Sequence, residues 1–315
     1  MGGSSAISNI DPIQMRLLEE VADLHETPAG AYNIRANGQM AARAASENIE
    51  IISKEEGEQG IDIHIKAGTK RESVHIPVVL SQSGLTEMVY NDFYIGDDAD
   101  VVIVAGCGIH NGGDKDSKHD GIHRFFVGKN AKVKYVEKHY GSGDGKGQRI
   151  MNPGTEVTME ENSYMEMEMV QIKGVDSTRR TTKADLAAGA KLIIRERLLT
   201  HGNQFAESSF VVNLNGEDSS ANVISRSVAK EDSTQIFNAE INGNAKCAGH
   251  SECDAIIMDN AKISAIPKIT ANNTDAALIH EAAIGKIAGE QIIKLMTLGL
   301  TEEEAEAQIV NGFLK

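Results

Sequence analysis

Tryptophan is absent from this chain of 315 residues, and aromatic residues of all kinds make up only 4% of it. A core without large rings carries little bulk per residue, and 30 glycines offer many places to turn. Both suit a repetitive β architecture better than a compact core built on rings. Proline is scarce, at 5 residues, so the chain is not a Pro-rich linker. Cysteine is limited to 3 residues. An odd count in a chain without an export signal reads as free or metal-ligating thiols in a reducing compartment, not as a disulfide framework. No run approaches the roughly 18–20 apolar residues of a membrane-spanning helix. Positive charge is also short, 31 Lys and Arg against 46 Asp and Glu, a net charge of −15. That balance argues against non-specific nucleic-acid binding, which needs basic surface, and against adhesion to an anionic membrane. The opening Met-Gly-Gly-Ser-Ser has neither a basic nor an apolar region of the kind that directs export, so a cytoplasmic protein is expected.

What is present divides into three parts. Residues 1–48 read as an N-terminal helical segment, 49–271 as a β core, and 272–315 as a C-terminal helical segment. Residues 1–9 are small and polar and are expected to be disordered. Asp11-Pro12 is a helix start, with Asp as N-cap and Pro at the first helical position. Ile13, Leu17, Leu18, Val21 and Leu24 then recur at helical spacing, which predicts an amphipathic helix over 12–25. A second short helix is expected around Gln39–Ser46. From Ile49 the hydrophobic period changes to two: 49–52, 61–65, 74–80, 86–95 and 101–105 all read as strands.

Within the β region a turn of Asn, Asp or Gly before a small residue keeps returning between apolar strands. Examples are Asp97 to Ala99, Lys129 to Ala131, Glu161 to Ser163, Gly189 to Ala190, Asn244 to Ala245 and Asn260 to Ala261. The interval is roughly 30 residues and then shorter, the signature of a stacked solenoid. Asn, Asp and Gly tolerate the left-handed backbone that such corners require. The fold class expected is therefore mainly β, a parallel β-helix flanked by helical segments; an antiparallel sandwich is the alternative.

The run from Gly141 to Gln148 looks superficially like a phosphate loop. Only three residues separate Gly141 from Gly145, and Gly147 stands where Ser or Thr would bind magnesium, so it reads as a surface loop and the chain has no ATPase site of its own. After Ala271 the helical period returns. Ala276 to about Leu298 is expected to be helical, and Thr301 with Glu304 forms a capping box for a last helix.

Two clusters hold chemistry-bearing residues. Cys107, His110, His119, His123 and His139 have spacings compatible with metal ligation, and a zinc- or iron-dependent enzyme built on them is one functional alternative. A plain β-helix binding module is another. The second cluster is Cys247, His250, Cys253, His280 and Glu281; thiolates are the usual ligands of iron–sulfur clusters, and carboxylates and imidazoles also bind iron. By spacing alone, Cys253 could equally be a small buried hydrophobe and Glu281 a first-turn helix acid.

Four blocks change that balance: 251–258, containing Cys253-Asp254; 280–287, opening on His280-Glu281; 299–305; and 309–313. In this order and at these intervals they resemble the C-terminal signature of the SufB/SufD family of iron–sulfur cluster assembly scaffolds. The resemblance implies a parallel β-helix that assembles a transient cluster and passes it to apo iron–sulfur proteins. It implies no catalysis in the enzyme sense, and Cys253, Glu281 and His280 as the residues that hold the metal and cluster, which is the SufB-like pattern. The implied partners are a SufC-like ABC ATPase at the C-terminal helices, a second copy or a SufD-like paralogue, and a sulfur donor such as a cysteine desulfurase system. The chain departs from many SufB proteins in lacking a second cysteine shortly after this block, where Lys262 to Ser264 stand. No upstream sulfur-accepting cysteine can be matched either, leaving Cys107 and Cys247 as local substitutes.

Overall fold

The computed structural model describes residues 10–55 and 58–315; the expected disorder of residues 1–9 falls outside them. Strands make up 59% of the chain and helices 10%, and the strands wind a β-solenoid of about 8 turns with short helices at both ends. Successive strands alternate between two sheets, and neighbours along the solenoid are parallel except for two antiparallel pairs at its N-terminal end. Side chains alternate inward and outward along each strand, as the pleat demands. The inward rows form one continuous core, running from Ile49 through Phe93, Phe125, Met167 and Ile194 to Ile241 and Cys253. Phe93 and Phe125 stack in it with ring centroids 4.5 Å apart.

The corners repeat as the turn residues require. Asp98, Asn130 and Asn162 all have φ between 57° and 59°, and Gly189 takes the next corner at φ 67°. Their amides and carboxylates also form ladders between coils. Asn130 donates to Asp98 across 32 residues, whereas Asn272 donates to Asn244 across 28, so the coil shortens toward the C-terminus.

Two helical expectations are corrected. Gln39–Ala44 is a strand, paired antiparallel with Ala31–Ala36. Its Ala and Arg content favours a helix, but Asn37 and Gly38 precede it with φ of 48° and 80°. Two left-handed residues in succession make a tight hairpin turn whose twist matches paired strands. Ala276–Gly285 is likewise a strand, not the first half of a long helix. The free edge of Cys247–Ile257 offers it an unbroken ladder from Cys247–Ala276 to Ile256–Gly285, and that pairing overrides the helix propensity of its alanines. Helix resumes only at Gly289–Met296, followed by Glu302–Phe313, whose Thr301–Glu304 capping box is present as expected.

The first helix, Pro12–Ala22, starts at the Asp11 cap as read from sequence and buries Leu17, Leu18 and Val21. It lies on the outer face of the strand Asp100–His110. Gly106 makes this close approach possible: a Cβ there would stand 2.3 Å from the Val21 carbonyl oxygen. The Gly141–Gln148 run is a corner loop in which glycine serves close packing between coils. A Cβ on Gly143 or Gly147 would meet backbone of the preceding coil, and the chain continues into the strand Arg149–Met151, not into a helix.

Candidate functional site

The C-terminal candidates sit on the last two strands of one sheet. In Cys247–Ile257, the side chains of Cys247, Ser251 and Cys253 point inward and are buried, while those of His250, Glu252 and Asp254 point outward. Register places Cys253 between Ser225 and Ala282, Ser251 beside His280, and Glu252 beside Glu281. The expected trio is therefore divided. His280 shares the inward row with Cys253, but on the last coil, where that row is exposed; Glu281 belongs to the outer face.

Cys253 is 2% exposed. Burial, and then the negative charges of Glu196 and Asp254, push its thiol up to about 12. Cys247 is also raised by burial. On the outer face, His250 Nε2 lies 3.4 Å from a Glu281 carboxylate oxygen. One ligand atom each from His250, Glu252 and Glu281 falls within 4.8 Å of the others, a spacing open to a metal ion. Burial, and then Asp254, raise the Glu252 carboxyl.

The other cluster lies deep in the solenoid. Cys107, His119, His123 and His139 are all buried. Cys107 and His139 adjoin in register on neighbouring coils, and the Cys107 thiol meets both His119 and His139. Burial alone would raise this thiol; the charge of His119, with hydrogen bonding from both rings, instead brings it down to about 7. The rings respond in kind. Burial opposes their protonation, but Cys107 and Glu87 lift His119 to about 10, and Glu137 and Cys107 lift His139 to about 9. His123 stands apart: its Nδ1 is 2.9 Å from the Tyr135 hydroxyl, and burial depresses it to about 4. His110 is on the other face of its strand, 3.0 Å from the Ser142 hydroxyl. Three of the five residues thus adjoin, with a fourth next to them and His110 elsewhere.

Sequence reasoning missed the charged residues that complete this interior. Glu87 lies 3.5 Å from His119 and also pairs with Arg35. Glu137 lies 3.4 Å from His139 and pairs with Arg180. Arg180 in turn is 3.9 Å from Glu196, which accepts from the Ser225 hydroxyl at 2.8 Å. Ser225 is the register neighbour of Cys253, so buried polar groups run along the core from Cys107 toward Cys253. The signal was available: in Lys132–Ser142 the apolar parity Val133, Tyr135 continues as Glu137, His139, a charged residue where a core residue belongs.

The described residues thus form a β-solenoid with thiols, imidazoles and carboxylates on the last two strands of one sheet. Comparison with known proteins makes this specific. A family profile described as "SUF system FeS cluster assembly, SufBD core domain" matches residues 81–313. An iron-sulfur cluster assembly SufBD family protein of Methanocaldococcus jannaschii is 29% identical over 274 residues, 85% of each chain. A Pyrococcus horikoshii protein of the same description is 28% identical over 84% of this chain and 80% of its own. One from Archaeoglobus fulgidus is 32% identical over 73% of this chain, which spans 61% of that relative. The chain belongs to the SufBD family of iron–sulfur cluster assembly proteins. Among the described residues no helix is long and apolar enough to cross a membrane.

Proposed function

We propose that this chain is a cytoplasmic scaffold on which an iron–sulfur cluster is assembled and from which it passes to apo proteins, without catalysis of its own. The observation that carries this reading is the family match, which covers the last two strands of one sheet, where Cys253, His280 and Glu281 stand. His280 and Glu281 occupy the edge strand itself, one on each face, and Cys253 is one strand further in. A single thiol cannot saturate a cluster, since iron–sulfur units generally take four protein ligands. A second copy, or a SufD-like paralogue, meeting this edge supplies the rest, and mixed ligation suits a cluster that must leave. The short helices after Gly285 expose Ile293, Met296 and Leu298, the last 76% exposed. They offer a SufC-like ABC ATPase an apolar surface, and its nucleotide cycle would supply the motion that this chain has no phosphate loop to drive. Sulfur arrives from a donor such as a cysteine desulfurase system. Cys107, with His119 and His139 against its thiol, is a second place where metal or sulfur could be held in that reading.

Anaerobic reconstitution of the purified chain with ferrous iron and sulfide tests it. The wild type is expected to gain broad visible charge-transfer absorption. Cys253→Ala is expected to abolish it, and His280→Ala and Glu281→Ala to reduce it. Equal absorption in wild type and Cys253→Ala would remove Cys253 from the site.

A further inference from the structure

We infer that His250, Glu252 and Glu281 form a divalent-cation site on the outer face of the solenoid, which takes ferrous iron independently of the Cys253 thiol. This rests on the scaffold reading only for the identity of the cargo metal; the site itself follows from strand geometry. Glu252 and Glu281 are direct register neighbours on adjacent strands, and His250 precedes Glu252 by two residues on the same face. Their ligand atoms already lie within 4.8 Å of one another.

The second observation is the orientation of the His250 ring. Its Nδ1 is 3.0 Å from Oδ1 of Asn222 on the next strand inward. An amide oxygen can only accept, so Nδ1 carries the proton and donates it. That turns the other ring nitrogen, Nε2, toward a Glu281 carboxylate oxygen at 3.4 Å. Fixing the ring through its other nitrogen is how metal-binding histidines are generally oriented. Asp254 and Arg226, register neighbours on adjacent strands, both act on the Glu252 carboxyl, with opposite sign.

The donor set is one imidazole and two carboxylates, with no sulfur. Such ligands suit ferrous, manganous or cobaltous ions, whereas thiolate selects clusters and softer metals. Three protein ligands on an open face leave the remaining positions to water, so the ion binds reversibly. Cys253 is adjacent to Glu252 in sequence yet on the opposite side of the sheet. The cation is therefore received on one side of the strand and the thiol stands on the other.

Titration of the purified full-length chain with cobaltous ion, and with manganous ion followed by electron paramagnetic resonance, separates the possibilities. One equivalent of cobalt is expected to bind with weak ligand-field bands and no thiolate-to-cobalt charge transfer. His250→Gln and Glu252→Gln, both outward-facing changes that leave the core intact, are each expected to weaken binding by about tenfold or more. Cys253→Ala should leave affinity and spectrum unchanged. Absence of binding, unchanged affinity in His250→Gln and Glu252→Gln, or a charge-transfer band that disappears in Cys253→Ala would each overturn the site. Reconstitution with excess iron and sulfide reports on the scaffold reading separately. A wild type that binds cobalt but forms no cluster loses the scaffold and keeps this site, and the reverse result loses only this site.

Discussion

Arg179 and Arg180 are consecutive residues on one strand, and they should respond to the same substitution very differently. Arg180 points into the solenoid, where its guanidinium pairs with Glu137; the two side chains are 4% and 2% exposed. It is also the cation facing Glu196. Arg180→Met leaves Glu196 with the hydroxyls of Ser208 and Ser225, and Glu137 with His139 and Tyr135. Removing one partner of a buried ion pair typically costs about 3–5 kcal/mol, because the remaining charge stays desolvated. Arg179 points outward, 61% exposed, paired with Glu207 and lying 4.6 Å over the Phe205 ring. Arg179→Met should cost about 0–1 kcal/mol. Adding Glu137→Gln to Arg180→Met removes the stranded charge and should recover much of the loss, a coupling that a double-mutant cycle measures. Urea unfolding followed by circular dichroism, with the slope checked for constancy, gives the values for Arg179→Met, Arg180→Met, Glu137→Gln and the double variant against wild type. A loss below about 1 kcal/mol for Arg180→Met, or equal losses at 179 and 180, would refute a core held by charge pairing.

Two further outcomes follow from the same geometry. Cys107 is lowered from 9.0 to about 7, so its contribution to stability is complete above its unfolded value and lost as pH falls through 7. His119 is raised from 6.5 to about 10, so its contribution is complete below 6.5 and lost as pH rises through 10. The stability difference between wild type and Cys107→Ser should therefore peak between about pH 7 and 9, and a difference that does not change with pH would show that no thiolate forms. Gly106→Leu places a side chain where the Val21 carbonyl lies, and should lift the Pro12–Ala22 helix while the solenoid stays wound. Hydrogen exchange should show the helix losing protection with strand amides unchanged; retained protection of the helix would contradict the packing.

The C-terminal site was only partly legible. The motif blocks located Cys253, His280 and Glu281, and the solenoid followed from the turn spacing. What misled was local propensity. The run Ala276–Gly285 is rich in good helix formers and carries no turn signal inside it, yet it adds a strand to an open edge. Placing Glu281 in a helix hid its neighbour Glu252, because the two become adjacent only when a coil of the solenoid closes. His250 stood in the candidate cluster from the start, but nothing in its spacing indicated that Asn222, a full coil earlier, would orient its ring.

By itself the sequence determined the class of architecture and the capped helices at either end, and it singled out the candidate residues for holding iron. Those properties depend on residue type and on short-range periodicity, which a chain carries before it folds. Tertiary structure alone decided on which side of the sheet each of those residues stands. Strand pairing fixes the register, and register fixes the parity that sends Cys253 inward and Glu281 outward. The same pairing gathered Glu87, Cys107, His119, Glu137, His139 and Arg180 from separate coils into one buried charged interior, since neighbours along a solenoid are about one full coil apart in the chain.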